Sequence, residues 1–343
     1  GYQLLHGYTH LQLGVYVAGL ALTAVPFVLT GVLALVLQVL ANNKFVGYLL
    51  IVLYFVVNLV LGLLDFDHHL YDFGGAPAVP YSDMNGFGHF LPGALWFDGY
   101  WTLCALALLG VAALFWVRGT DSGWALRRRE ARARLRKRPV QLLVGLSLLG
   151  FVASGAWIFY NTNVLHRYVP GDDAKQQLAD YEKLYSKYKD AAQPRITAVQ
   201  ANVDIYPYHR KLHARINYTL VNKHDQPIRD LYINWSTDVP PTHLDMPAHD
   251  VVLADKRLGF SIYRLKQPLA PGASMQFDFD LDYAAHGFKN DVGGMDYLLV
   301  HNGTFFTNAD FFPGFGYNAQ QQLTSRKDRK KYGLNTEVPR MAK

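Results

Sequence analysis

The sequence predicts a membrane α-helical region of about four transmembrane helices, followed by an antiparallel β-sandwich or saddle domain. Three observations carry this reading. Four long uncharged apolar runs occupy the first 160 residues. A short and strongly basic segment, WALRRREARARLRKRPVQ at 124–141, interrupts them. Beyond Asn161 the runs give way to segments in which apolar and polar residues alternate. In a chain of 343 residues, 50% hydrophobic and only 17% charged, such a change marks two unlike halves.

The apolar runs come first. No charge occurs in residues 11–41, 45–64, 100–117 or 140–160. A helix needs roughly 20 apolar residues to cross about 30 Å of hydrocarbon. All four runs meet this, the third if its helix begins near Ala94. Pro26 and the glycines of the first run are tolerable in a membrane helix. Tyr48, Trp96, Tyr100, Trp101, Trp116, Trp157 and Tyr160 fall near run ends, where amphipathic rings suit the headgroup level. The Gly- and Pro-punctuated stretch 87–100 reads as a re-entrant or interfacial segment before the third span.

Charge sets the expected orientation. Between Arg118 and Arg138 stand nine Lys or Arg and two acids, a local net of +7. The whole chain carries +6, so everything else sums to −1 and a general polyanion-binding surface is not expected. A nucleic-acid arm is therefore disfavoured. Residues 65–98 hold five Asp and no Lys or Arg. The positive-inside rule puts Arg127, Arg128, Arg129, Arg132, Arg134, Arg136, Lys137 and Arg138 in the cytoplasm as topology determinants. The acidic loop then lies outside, and so does everything after Asn161. A first helix entering from outside, and a chain opening at Gly1 without Met, lead us to expect an internal piece of a longer polypeptide.

Within the outer loop, Asp65, Asp67, His68, His69 and His89 form a polar cluster that could bind a divalent cation or relay protons. Adjacent histidines are also common at interfaces, and nothing in the spacing fixes their geometry. The single cysteine, Cys104, lies in an apolar run, which excludes an intrachain disulfide or a Cys-rich zinc site.

The second half opens with DDAKQQLADYEKLYSKYKDA, where Leu178, Tyr181, Tyr185 and Tyr188 share one helical face. This linker helix, within 161–193, is expected to pack on the next domain or on the membrane surface. Strands follow over 194–343. Val199, Ala201, Val203 and Ile205 alternate with polar neighbours, as do Leu212, Ala214, Ile216, Tyr218 and Leu220. Met275, Phe277, Phe279, Leu281 and Tyr283 do so most cleanly. Period-two alternation implies sheets with one buried and one wet face. The HRKLH stretch at 209–213 mimics zinc-ligand spacing, but Arg210 occupies the base position and His213 falls in a predicted strand. No phosphate-binding GxxxxGK[ST] loop and no G-x-S-x-G nucleophile turn occurs.

The spans before the basic loop resemble the later helices of type-2 ABC exporter permeases. The segment NTNVLHRYVPGDDAKQQLADYEKLYSKYKDAAQPRITAVQANVDIYPYHRKLHARINYTLVNKHDQPI resembles the linker and first strands of large bacterial membrane proteins. In these, a permease-like portion carries an extracytoplasmic zinc peptidase of the alanyl-aminopeptidase (gluzincin) family. The closing HNGTFFTNADFFPGFGYN is similar to the end of that family's amino-terminal β domain. Phe312, Pro313 and Phe315 match its motif, while Gly314 replaces a Cys and Gly316 an Asp. Counting back, Asn302 falls near a family Gln that lines the substrate-amine site. The resemblance implies that zinc, its HExxH helix and the Gly-x-Met-Glu-Asn-type strand belong to a following domain. Residues 1–343 then carry no cofactor and no catalysis of their own.

The expected function is thus the membrane anchor and amino-terminal β domain of an ABC-permease/aminopeptidase fusion in a bacterial inner membrane. Its partners would be the lipid bilayer, an ABC ATPase subunit and, for the parent, a peptide substrate. The alternative is an exporter permease subunit whose β domain handles substrate or binds a partner without peptidase activity.

Overall fold

The first apolar run forms α1 (Leu13–Ala41), a helix of 29 residues. Thr23 and Thr30 donate from Oγ1 to the carbonyls of Gly19 and Pro26, each at 2.8 Å, so neither hydroxyl is left bare in an apolar helix. Asn42 ends the helix in the left-handed conformation (φ 53°), which Asn tolerates better than most residues. Its neighbour Asn43 accepts from the amides of Phe45 and Val46 and starts α2 (Lys44–Leu63). Two asparagines therefore make a tight antiparallel helix turn. A computed structural model describes residues 5–7, 12–116, 123–301 and 304–336 of the chain.

The third run is one unbroken helix, α3 (Phe90–Phe115), which corrects the expectation of a re-entrant segment at 87–100. Pro92 falls in the first turn, where its missing amide has no intrahelical partner to lose. Gly93 and Ala94 are buried small residues, which suit close packing rather than a break. The basic segment folds as α4 (Trp124–Leu135), and α5 (Arg138–Phe159) follows with Pro139 in its first turn. Without interruption α5 widens into a π-helical turn, Tyr160–Leu165.

Helices α1, α2, α3 and α5 with its extension are each long and apolar enough to cross a membrane. Much of their apolar surface faces outward, as at Leu20, Phe27, Leu49, Leu59 and Leu149. Such a surface would be costly in water and suits hydrocarbon. Helix α3 buries the most, and it meets α5 through small residues. A Cβ on Gly110 would lie 2.4 Å from Val144 Cγ2, and one on Gly155 would lie 2.9 Å from Tyr100 Cε2. Tyr100 stacks on Phe151 with ring centres 4.3 Å apart.

The β half comprises two open four-stranded antiparallel sheets. The first has the order β1 (Arg195–Tyr206), β2 (Lys211–Val221), β7 (Ser274–Ala284), β4 (Pro241–Asp245). The second has the order β5 (His249–Asp255), β6 (Phe260–Leu269), β3 (Ile228–Asn234), β8 (Gly314–Phe315). In β2 and β7 the alternation becomes burial: Ala214 pairs with Leu281, Ile216 with Phe279 and Tyr218 with Phe277. These meet Leu231, Ile233 and Leu265 of the second sheet in one core. Edge strand β1 departs from expectation. Its apolar residues stay largely exposed, and Val203 alone of the four packs on the core.

Helix α6 (Gly171–Tyr185) lays Tyr181 and Tyr185 on Phe260, Leu258 and Ile262 of the second sheet and its approach. Short helices α7 (Met295–Leu298), α8 (Asn308–Phe311) and α9 (Arg326–Lys331) complete the described structure. By internal contacts the chain divides into two compact units. The helical unit takes the chain through Val79, then Phe90–Tyr168 and the short segment Gly287–Asp291. The β unit takes Pro80–His89, Val169–His286 and the chain from Val292.

Candidate functional site

The helical unit has two chemically opposite ends, and each is built by side chains reaching across long sequence intervals. At the first, α4 packs against the carboxyl termini of α1 and α3. Helix ends expose carbonyls without intrahelical donors and carry partial negative charge. Arg127, only 1% exposed, meets both ends. It donates from Nη1 to Leu40 O at 3.3 Å, from Nη2 to Val39 O, and from Nη2 to Phe115 O at 3.0 Å. Its guanidinium also lies 5.1 Å from the Trp124 ring centre. Seven residues on, Arg134 reaches Ala113 O at 3.1 Å and Leu114 O at 3.2 Å, and also Trp116 O. It pairs with Glu130 at 2.8 Å. A spacing of seven puts both arginines on one helix face. Sequence reasoning marked them as topology determinants and missed this capping role, for which the seven-residue interval was the available signal.

The other basic residues take a different place. Arg128, Arg129, Arg132 and Arg136, with Ala125 and Ala133, line an open space of ≈ 450 Å³ along one face of α4. Lys137 and Arg138 are exposed at the start of α5, and Arg118 lies outside the described residues.

At the opposite end stands the expected polar cluster, which the structure divides. Asp65, Asp67, His68 and His69 belong to the helical unit and His89 to the β unit. His68 is 2% exposed and both ring nitrogens are engaged. Its Nδ1 accepts from the amide of Leu70 at 3.1 Å, which fixes the proton on Nε2. That nitrogen donates to Thr162 Oγ1 at 3.1 Å, and Thr162 donates onward to Ile158 O at 2.9 Å. Burial is the main cause that lowers the His68 pKa from 6.5 to about 4, with the neighbouring His69 acting the same way. A neutral, doubly engaged imidazole locks the loop onto the π turn of α5 and has no free lone pair for a metal.

Around it, His69 is held by its amide, which donates to Asn290 Oδ1 at 3.0 Å, and by Nε2, 3.5 Å from Asp291 Oδ1. The His69 bond holds the Asp291 carboxyl below its ordinary value despite burial. Tyr168 donates its hydroxyl to Asp67, and burial together with that bond raises the phenol's pKa. Asp65 ends α2 at positive φ (59°). On the β unit, burial and the nearby Arg210 depress the His89 imidazole, while Arg210 itself pairs with Asp296 at 2.7 Å. Thus Asp67, His68 and His69 come together with Tyr168, Asn290 and Asp291 as a structural latch. Among the described residues no group of three His, Cys, Asp or Glu side chains converges to hold a metal ion.

Among the concavities of the β unit is one of ≈ 690 Å³, lined by Trp235, Asp238, Asp310, Phe312, Tyr317 and Gln320 among others. The closing FFPGFG segment forms one wall. Phe312 and Phe315 pack edge-on against Phe279 and Phe277, at 5.9 and 5.3 Å between ring centres. Gly316, at φ 92°, donates its amide to Tyr232 O at 2.8 Å and accepts from Asn234. A side chain there would be strained, so the glycine has a conformational reason. Asn302 lies outside the described residues. The HRKLH stretch is no zinc helix: His209 ends a 3-10 turn, Arg210 is left-handed, and His213 sits in β2 beside Asp282 at 2.7 Å. No protein-family model and no curated protein matches the chain.

Proposed function

We propose that the chain is a membrane anchor that holds its β unit on the extracytoplasmic face of a bacterial inner membrane. The observation that carries this reading is the charge division between the two ends of the helical unit. Every basic residue of α4 and of the α5 start gathers where α1 and α3 terminate, together with Lys44 of the α1–α2 turn. Asp65, Asp67 and Asp72 collect at the other end, joined by the His68–Thr162 bond to the point where α5 finishes. Positive residues are retained on the cytoplasmic side, each favoured there by roughly 1 kcal/mol near anionic lipid. The chain that leaves α5 after Leu165 then starts outside.

The finer reading, the anchor and amino-terminal β domain of a permease–aminopeptidase fusion, draws on the resemblance of 161–228 and of the closing motif. The position of FFPGFG as the strand completing the second sheet supports it. On this reading zinc and its general base come from a following domain, and the present chain fixes that domain at the membrane surface. An ABC ATPase partner would dock at the α4 end. Two experiments test the proposal. Alkaline carbonate should leave the chain in the membrane pellet; full extraction would overturn the anchor. The full-length protein should release amino-terminal residues from peptides in a chelator-sensitive manner; a reading frame that lacks an HExxH segment would overturn the peptidase part.

A further inference from the structure

The arginines of α4 do two different jobs. Arg127 and Arg134 point inward and saturate helix carbonyls. Arg128, Arg129, Arg132 and Arg136 line the opposite face, at offsets of zero, one, four and eight residues, within one exposed quadrant. Glu130 is the sole acid on the helix, and Arg134 already engages it. Among the described residues no carboxylate faces the outward four. Arg128 makes one long bond, from Nε to Trp124 O at 3.4 Å. Four guanidiniums side by side repel one another, and an anion among them relieves that repulsion.

The attachment of α4 to the ends of the spans bears on the source of that anion. Arg127 ties α4 directly to the last carbonyls of two helices long enough to span a bilayer. The helix therefore cannot float away into solution; it sits at the level where those spans end. Trp116 and Trp124, 48% and 55% exposed, flank it together with exposed Leu126 and Leu135. Indole rings with an apolar body and one donor are at home between headgroup and acyl chain. A guanidinium fork pairs with phosphate oxygens bidentately.

We propose that the Arg128/Arg129/Arg132/Arg136 face is a binding site for the phosphate headgroups of anionic phospholipids in the leaflet at this end of the helical unit. The proposal rests on the membrane-spanning reading above. Its occupant is a lipid rather than a soluble phosphate, because the acyl chains of a lipid gain the apolar surface beside Trp116 and Trp124.

The test uses the whole chain, delipidated in neutral detergent and titrated with phosphatidylglycerol or phosphatidylethanolamine, with bound lipids counted by native mass spectrometry. Wild type should prefer phosphatidylglycerol by about tenfold or more, since four basic contacts contribute. The variant R128Q/R129Q/R132Q/R136Q leaves Arg127 and Arg134 in place and should fold; it should lose that preference. A charge-preserving R128K/R129K/R132K/R136K variant should retain most of it. Equal preference in wild type and the Gln variant would overturn the site. Displacement of phosphatidylglycerol by millimolar inorganic phosphate would assign the face to a soluble anion and also overturn it. Carbonate extraction of the same Gln variant separates the two readings: a variant that stays in the pellet yet still selects phosphatidylglycerol defeats the lipid site and leaves the anchor standing.

Discussion

Arg127 shows how one residue can do two jobs that a charge count merges. Its guanidinium spans three carbonyls at the ends of α1 and α3. Replacing it with Leu strands those carbonyls, at about 1–3 kcal/mol for an unmet buried acceptor. Arg127→Leu should therefore lower the melting temperature in detergent well below that of Arg128→Leu. Arg127→Lys should recover little, because an ammonium cannot bridge carbonyls of two helices in a fixed fork. Gly287 is a second such point. At φ 54° its Cβ would lie 2.1 Å from Asn161 Oδ1, so Gly287→Ala should destabilise by about 1–3 kcal/mol, read in the same melt. His68 gives the pH dependence. Its folded pKa is depressed, so stability is complete above 6.5 and is lost as pH falls toward about 4. The unfolded chain takes a proton that the buried ring resists. Asp291, also depressed, loses its contribution in the acid direction too. Acid titration followed by tryptophan fluorescence should report this through Trp101, whose Nε1 donates to His69 O at 3.1 Å. A His68→Gln variant should flatten the upper part of that profile.

Elements divide into those whose signal is local and those whose partner is remote. The spans were legible from uncharged apolar length, and strands β2 and β7 from one period of alternation. Helix α6 was legible from its tyrosine face. Strand β1 had the same alternation but lies at a sheet edge, and its apolar face meets core at Val203 alone. Period reveals the face, not the neighbour that covers it. The role of His68 was illegible because Thr162 lies 94 residues away. The Pro- and Gly-rich start of α3 misled because breakers are harmless in a first turn. A remote partner also governs α9. Arg329 makes two bonds to Glu182 of α6, at 2.8 and 2.7 Å, and a third to Leu323 O at 2.8 Å, all buried. Arg329→Met leaves a buried carboxylate unpaired and should cost about 3–5 kcal/mol by thermal denaturation of the whole chain. The double variant E182Q/R329M should lose clearly less, and equal losses would argue that packing rather than charge holds α9.

For the whole molecule the governing quantity is the asymmetry of charge along the helical unit. Its basic end is stitched together by arginines and its acidic end by a histidine latch, and connectivity sends residues beyond Leu165 from the latter. The proposed membrane orientation, and with it the proposed side of the β unit, rests on this one asymmetry. Substituted-cysteine labelling tests it most directly. In a Cys104→Ala background, Ser274→Cys in β7 and Ala133→Cys in α4 both place a thiol at an exposed position. A membrane-impermeant maleimide applied to intact spheroplasts should label Ser274→Cys at once, and Ala133→Cys only after lysis. Labelling of Ala133→Cys before lysis, with Ser274→Cys protected, would contradict the account.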